Sequence, residues 1–347
     1  MSMISAAHLV NQEPVRLYRS VIDKVKDDGA DYAVVDYPDY NNIGDSAIWA
    51  GQSRILREVF GKKPAYVACP NDYKGDIEDF SKNFIVFVQG GGNFGDIWKS
   101  HQDFRIGILE RYSNKKVVQL PQSIFFSSPH ELDLTKRAIG RHGDFHLLVR
   151  DQASFLFAKA EFDCPVHLCP DAAHSIPFYI SEPAQHEVFS LVRTDIESDA
   201  ANLEEIVREY GPVQDWNNID GYFYKNEGVV NRFFRRHIQY KFPTSSLMMA
   251  YRRWMYDHMA KRAVDRGIKQ LSQGEIVISD RLHAHILCTL IGKPHISLDN
   301  ANGKIGEYIR QWGGFGITEL AGSPADIKGK MEKLRNLLSR AEAKLSH

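Results

Sequence analysis

Three observations predict an α/β fold built from two Rossmann-like domains that face each other across a cleft. Short apolar runs alternate with amphipathic stretches through the first half of the chain, the rhythm of βαβ units and of a parallel, doubly wound sheet. The rhythm breaks around Ser175–His186 and then resumes. At 347 residues the chain has room for two such units.

Taken in order, the first-half strands are predicted at Tyr32–Asp36, Ala65–Ala68, Phe84–Gln89, Lys116–Leu120, His146–Val149 and Val166–Leu168. Helices are predicted at roughly Ser46–Phe60, Gln102–Tyr112, Glu131–Arg141 and Ala153–Lys159. The second unit opens with a strand at Glu187–Val192 and a helix over about Asp199–Tyr210. A long helical pattern follows at Ser246–Leu271, then an apolar strand at Ile276–Ile278 and a helix at Arg281–Leu290. A strand at His295–Leu298, a helix near Lys304–Trp312 and an amphipathic helix at Pro324–Leu345 complete it. The predicted division is residues 1–180, residues 187–323 and a C-terminal helix over 324–347, with Ser175–His186 as the hinge.

Bulk properties exclude several classes. Net charge is −1 with 43% apolar and 25% charged residues, so no global field calls for nucleic acid. Four cysteines lack any CxxC pair, and Cys164-Pro-Val-His167-Leu-Cys169 has no second ligand pair, so free thiols are expected and no metal. The N-terminus shows no basic stretch followed by an apolar core and no run approaches ~18 apolar residues, which predicts a cytoplasmic protein. One segment departs from the balance: Lys225 to Lys269 holds 11 Lys/Arg against 3 Asp/Glu, a local excess of +8. Its aromatics interleave with the basic residues over 222–255, which suits peripheral contact with the inner face of the cell membrane or an acidic lipid-linked sugar. An aromatic core beneath a solvated basic face reads equally well.

In doubly wound sheets, ligands bind beyond the carboxyl ends of the strands, so the loops there carry the chemistry. Asn42-Ile-Gly44-Asp45-Ser46 follows the first strand. Gly44 allows close backbone approach, Asp45 or Ser46 can cap the helix, and a carboxylate at Asp45 suits sugar hydroxyls or base catalysis. Gln89-Gly90-Gly91-Gly92-Asn93 reads as a flexible, N–H-rich loop that admits a bulky ligand, with Trp98 as a stacking face. It matches neither a GxGxxG fingerprint nor a P-loop.

Arg150 and Arg193 each sit just past an apolar run, where a guanidinium can grip a carboxylate or phosphate in bidentate fashion. Local ion pairs with Asp151 and Asp195 are the alternative. Ser279-Asp280-Arg281-Leu282-His283-Ala-His285 joins a strand to a helix, and Ser279-Asp280 can cap that helix. Free N–H groups at its N-terminus, with Arg281, His283 and His285, would hold an anion beside a proton-transfer group. A local Arg281–Asp280 pair with surface histidines is the plainer reading.

Assembled in order, these loops resemble the polysaccharide pyruvyl transferase family. The resemblance rests on Asn42-Ile-Gly-Asp45, Gln89 to Asn93, Val149-Arg-Asp151, Ser279-Asp-Arg-Leu-His283 and Gly292-Lys-Pro294, and it spans nearly the whole chain. It implies a fold similar to that of GT-B glycosyltransferases. It also implies transfer of the pyruvyl group of phosphoenolpyruvate onto two hydroxyls of a sugar in an exopolysaccharide or cell-surface glycan precursor, forming a ketal and releasing phosphate. Phosphoenolpyruvate is then a co-substrate and no cofactor is expected. Donor binding carries over to Arg281, Leu282 and His283, with Arg150 or Arg193 as the first-domain arginine and His285 added on helix geometry. His283 and Asp45 are the expected catalytic pair, and Asn42, Gly44, Gly90, Gly91, Gly92 and Asn93 the expected acceptor side. Two rivals stay open: a glycosyltransferase of the same architecture using a nucleotide sugar, and a catalytically silent carbohydrate-binding scaffold.

Overall fold

The computed structural model describes residues 3–177, 179–193, 203–216, 245–299, 304–313 and 316–345. Two all-parallel sheets organise them. The first contains β1 (Asp31–Val35), β2 (Tyr66–Ala68), β3 (Phe84–Val88), β4 (Gly91–Gly95), β5 (Val117–Phe125), β6 (Phe145–Val149) and β7 (Val166–Leu168). Their order is β2-β1-β3-β5-β6-β7, with β4 added to β5. Every residue of β3 is buried, as a continuous apolar run requires when helices cover both faces. The surrounding helices are α1 (Met3–Val25), α2 (Ile43–Phe60), α3 (Lys99–Arg111), α4 (Pro129–Arg141) and α5 (Gln152–Glu161).

The second sheet contains β8 (His186–Leu191), β9 (Val213–Gln214), β10 (Gly274–Ser279), β11 (His295–Leu298) and β12 (Thr318–Ala321), ordered β12-β11-β10-β8-β9. Its helices are α6 (Leu203–Arg208), α7 (Ser246–Leu271), α8 (Leu282–Leu290), α9 (Lys304–Trp312) and α10 (Ile327–Leu345). A small core of Val188, Ile276, Ile278, Ile296, Met331 and their neighbours lies against α10. The larger core includes residues of α7 and α8. Helix α7 packs on α2: Tyr256 stacks on Tyr37 with ring centroids 3.8 Å apart, and Trp49 Nε1 donates to Asp257 at 3.2 Å.

Topology decides where a ligand can enter. In the first sheet, β2 lies on one side of β1 and β3 on the other, so the loops after β1 and β3 diverge. In the second, β9 and β10 flank β8, so the loops after β8 and β10 diverge. Asn42 to Asp45, Gln89 to Asn93, Arg193 and Arg281 all fall at these two openings.

Several expectations are corrected. Helix α1, with Pro14 inside it, was not anticipated, nor were β4, β9 and β12. The glycine-rich stretch is not a flexible loop, because Gly91–Gly95 pairs with β5 in parallel. That strand is pinned by a buried amide and a buried guanidinium: Gln122 Nε2 and Arg105 Nη2 each donate to Asn93 Oδ1 at 2.8 Å, and Asn93 N donates to Gln122 Oε1 at 3.1 Å. Strand β5 also runs past Pro121 to Phe125, with a register shift between Gln119 and Gln122. The basic-aromatic segment is described only from Ser245 onward, and its stretch 222–244 lies outside the described residues.

Candidate functional site

At the first opening the cap of α2 is Asn42, not Asp45 or Ser46. Its extended backbone places Oδ1 to accept from Gly44 N at 2.8 Å and Asp45 N at 3.3 Å, satisfying two of the orphan donors of the helix. Asp45 is thereby released from capping. Its Oδ2 accepts from Tyr40 Oη at 2.8 Å. Burial raises the Asp45 carboxyl above its ordinary value, against the opposing pull of His283 and the Tyr40 hydrogen bond.

At the second opening Ser279 and Asp280 do not cap α8 either. Ser279 Oγ donates to Leu191 O at 2.7 Å and accepts from Arg281 N at 3.1 Å, while Asp280 Oδ1 accepts from Arg193 N at 3.0 Å. The N-cap position of α8 is Arg281 in extended conformation, with no side-chain cap. The N-terminus of the helix therefore keeps its own donors for another acceptor. Arg281 pairs with buried Asp215 rather than Asp280, and its guanidinium carbon lies 5.4 Å from the centroid of Trp216.

Between the openings lies a group that the sequence reading did not assemble. Arg150 Nη1 contacts Asp171 Oδ2 at 2.6 Å, and His283 Nε2 stands 3.4 Å from the same oxygen. The second contact is electrostatic, since His283 Nε2 has no hydrogen-bond partner among the described residues. Asp171 is anchored from both sides: Oδ1 accepts from Ala173 N at 2.8 Å, and its N–H donates to Tyr308 Oη at 3.0 Å. Burial alone would raise the Asp171 carboxyl, but His283 and Arg150 outweigh burial and hold it well below the usual carboxylate range. Arg150 pairs here, not with Asp151, whose Oδ1 instead accepts from Ser154 N to cap α5 at 2.8 Å.

These groups surround a cavity of about 500 Å³. Asn42, Asp45, Gly92, Asn93 and Arg150 line it from the first sheet, and Arg193, Trp216, Arg281, Leu282 and His283 from the second. Two glycines stand in close approach to these side chains, Gly44 the more tightly. A Cβ on Gly44 would fall 2.9 Å from His283 Cγ and closer still to Nδ1; one on Gly92 would fall 3.2 Å from Arg150 Nη2. Trp216 lines this cavity, and its buried Nε1 has no hydrogen-bond partner among the described residues.

One further pair was missed. His101 lines the cavity and its Nδ1 meets Asp36 Oδ1 at 2.8 Å. Asp36 directly follows β1 in a left-handed conformation, φ 67°. Burial would lower the imidazole, and Asp36 reverses this to raise it above its ordinary value. Tyr40 and Trp98, 39% and 42% exposed, form an aromatic rim on the same side.

Of the anticipated residues, Gly90 and Gly91 lie outside the lining and Gly44 sits behind His283. His285 is corrected most clearly. Two residues apart on an α-helix means about 200° of rotation, so His285 points away from His283. Its Nδ1 meets His295 Nε2 at 2.8 Å in the interior, and burial together with His295 pushes it far below its ordinary value. It does not reach the cavity. The four cysteines are free, as expected.

A profile of the family "Polysaccharide pyruvyl transferase" matches residues 42–302. The chain belongs to that family. Among curated proteins it is 30% identical over 279 residues to "Putative pyruvyl transferase EpsO" of Bacillus subtilis, covering 80% of this chain and 84% of the relative. It is 28% identical over 312 residues to pyruvyl transferase 1 of Schizosaccharomyces pombe, covering 81% and 69%. A solved structure of a functionally uncharacterized Klebsiella pneumoniae protein aligns with a TM-score of 0.58 at 17% identity, covering 88% of this chain and 97% of that one, which speaks to the fold alone.

Proposed function

We propose that the cavity binds phosphoenolpyruvate and transfers its pyruvyl group onto two hydroxyls of a sugar in an exopolysaccharide or cell-surface glycan precursor. The carrying observation is the convergence of Arg150, Arg193, Arg281 and His283 with the open N-terminus of α8 on one cavity. A small donor with a carboxylate and a phosphate calls for such a concentration of fixed positive charge. The arrangement of the two units about it is of GT-B type, and the acceptor is a lipid-linked oligosaccharide or polysaccharide met at the cytoplasmic side of the membrane.

In this reading Arg150 and Arg281 hold the donor's anionic ends, each locked by a buried carboxylate, and the Trp216 ring walls the cavity beside Arg281. His283 protonates the methylene carbon, which leaves cationic character at C2 for a sugar hydroxyl to attack. Asp45, nearer neutrality than an ordinary carboxylate, takes the hydroxyl proton. The C2–O bond to phosphate then breaks, and a second hydroxyl of the same sugar closes the ketal. One acceptor proton replaces that given by His283 and the other leaves with phosphate, so the reaction balances. Tyr40 and Trp98 offer stacking faces for the sugar, and His101 faces its hydroxyls.

The test is His283→Ala, assayed for phosphate release from phosphoenolpyruvate with acceptor present. The expected loss in kcat is ~10²–10⁴-fold, the usual worth of a positioned acid, with donor affinity retained. Near-normal turnover would remove His283 from the mechanism. Turnover with a nucleotide sugar in place of phosphoenolpyruvate would return the chain to glycosyl transfer.

A further inference from the structure

A second cavity, of about 360 Å³, opens where the C-terminal half of α2 meets α7. Arg57, which borders it, is 12 residues along α2 from Asp45, roughly 18 Å of helix axis. The site of chemistry does not include it. Its lining holds four cationic side chains, Arg57, Lys63, Arg253 and Lys261, and one carboxylate, Asp257. Asp257 is already engaged by Arg57 and by Trp49 Nε1. Arg253 is fixed by donating Nη1 to Pro64 O at 2.8 Å and Ala65 O at 3.4 Å. Burial, and then the like charge of Arg57, push Arg253 below its ordinary value against the pull of Tyr32 and Asp257, so a bound anion would favour its charged form. Lys261 also pairs with Asp265 at 2.6 Å, but that pair is exposed and therefore weak.

The helix carrying these cations also presents apolar side chains to solvent. Trp254 is 59% exposed and Leu247 80% exposed. They lie seven residues apart, within about 20° on a helix surface, and His258 continues the same stripe. The Trp254 ring stacks on His258 with centroids 5.2 Å apart. A solvated basic face would carry no such anchors, and a free-phosphate pocket would not need them. Cations beside exposed Trp and Leu match a bilayer surface, where phosphates meet the first acyl carbons.

We propose that the α2–α7 face docks on an anionic bilayer, its cations against headgroup phosphates and Trp254 and Leu247 in the interface. This deepens the reading of a lipid-linked acceptor and rests on it only for its purpose, because docking is measured without donor or acceptor. The experiment is co-sedimentation of the full chain with vesicles of phosphatidylcholine, alone or mixed with phosphatidylglycerol, at low and moderate salt. Binding is expected to require phosphatidylglycerol and to weaken with salt. The double variant Lys63→Glu, Lys261→Glu should lower the partition at least about 30-fold. Trp254→Ser should lower it several-fold with every cation intact. Both variants should release phosphate from phosphoenolpyruvate at the normal rate with a soluble acceptor, which also shows that they fold. No vesicle binding at either salt, equal binding by the double variant, or stabilisation by inorganic phosphate without vesicle binding would each overturn the proposal. Loss of transferase activity with normal docking would sink the catalytic reading and leave this one standing.

Discussion

Asp171→Asn isolates the contact on which the site's geometry turns. The substitution keeps the shape and leaves an acceptor for Ala173 N, but removes the charge that Arg150 and His283 share. Arg150 and Asp171 side chains are 8% and 1% exposed, so the variant leaves a buried guanidinium without its counter-ion. Breaking such a pair costs about 3–5 kcal/mol, and the retained hydrogen bond argues for the low end, about 3 kcal/mol. That corresponds to a fall in Tm of roughly 6 °C or more in a domain of ordinary size. The Asp171 carboxyl titrates below its ordinary range in the fold, so its stabilisation is complete above that range and is lost as pH falls through it. The gap in Tm between wild type and variant should therefore stay constant from about pH 5 to 8 and close only below about pH 4. Turnover should fall about 10–100-fold, because His283 loses the charge that orients it and a misplaced acid forfeits most of its worth. Thermal melts across pH, run beside phosphate release from phosphoenolpyruvate, read both effects. A variant that melts with wild type and turns over normally would refute the reasoning.

Three further substitutions probe the rest of the cavity. Arg281→Lys turns a planar fork into a point charge beside Asp215, and the KM for phosphoenolpyruvate should rise at least about tenfold, with kcat changed less; initial-rate kinetics decide it, and an unchanged KM would contradict the binding role. Asp45 must be ionised to act as a base and burial raises its pKa, so activity should decline as pH falls through that raised value, at a higher pH than for an ordinary carboxylate. Asp45→Asn should abolish this acidic limb while lowering kcat throughout, and a pH–rate profile that keeps the limb would assign it elsewhere. Gly44→Ala drives a methyl into the His283 ring; overpacking should cost about 1–3 kcal/mol in melting experiments and displacement of the ring at least about tenfold in kcat.

The βαβ rhythm was legible because buried parallel strands are apolar without interruption, and β1, β3 and β6 stand close to where that pattern puts them. Strand β4 was hidden by its glycines, which signal turns locally and become a strand through pairing with β5 and the buried Gln122 amide and Arg105 guanidinium. The arginines and His283 were readable because they follow strand ends in a doubly wound fold. The same signal was present at Asp36, Asp171 and Asp215, each just past β1, β7 or β9, and was passed over for lack of a motif. Asp36 and Asp215 meet partners 65 and 66 residues away, and Asp171 meets Arg150 at 21 and His283 at 112, so no spacing rule joins them. His285 failed for the opposite reason: proximity in sequence was taken for proximity in space, and the helical period turned it into the core.

A crystal soaked with phosphoenolpyruvate, without acceptor, tests the central claim most directly. The account predicts density between the Arg150 and Arg281 guanidiniums at the start of α8, with the methylene carbon toward His283. A donor bound outside this cavity, or a cavity that stays empty at saturating donor while the enzyme turns over, would contradict it.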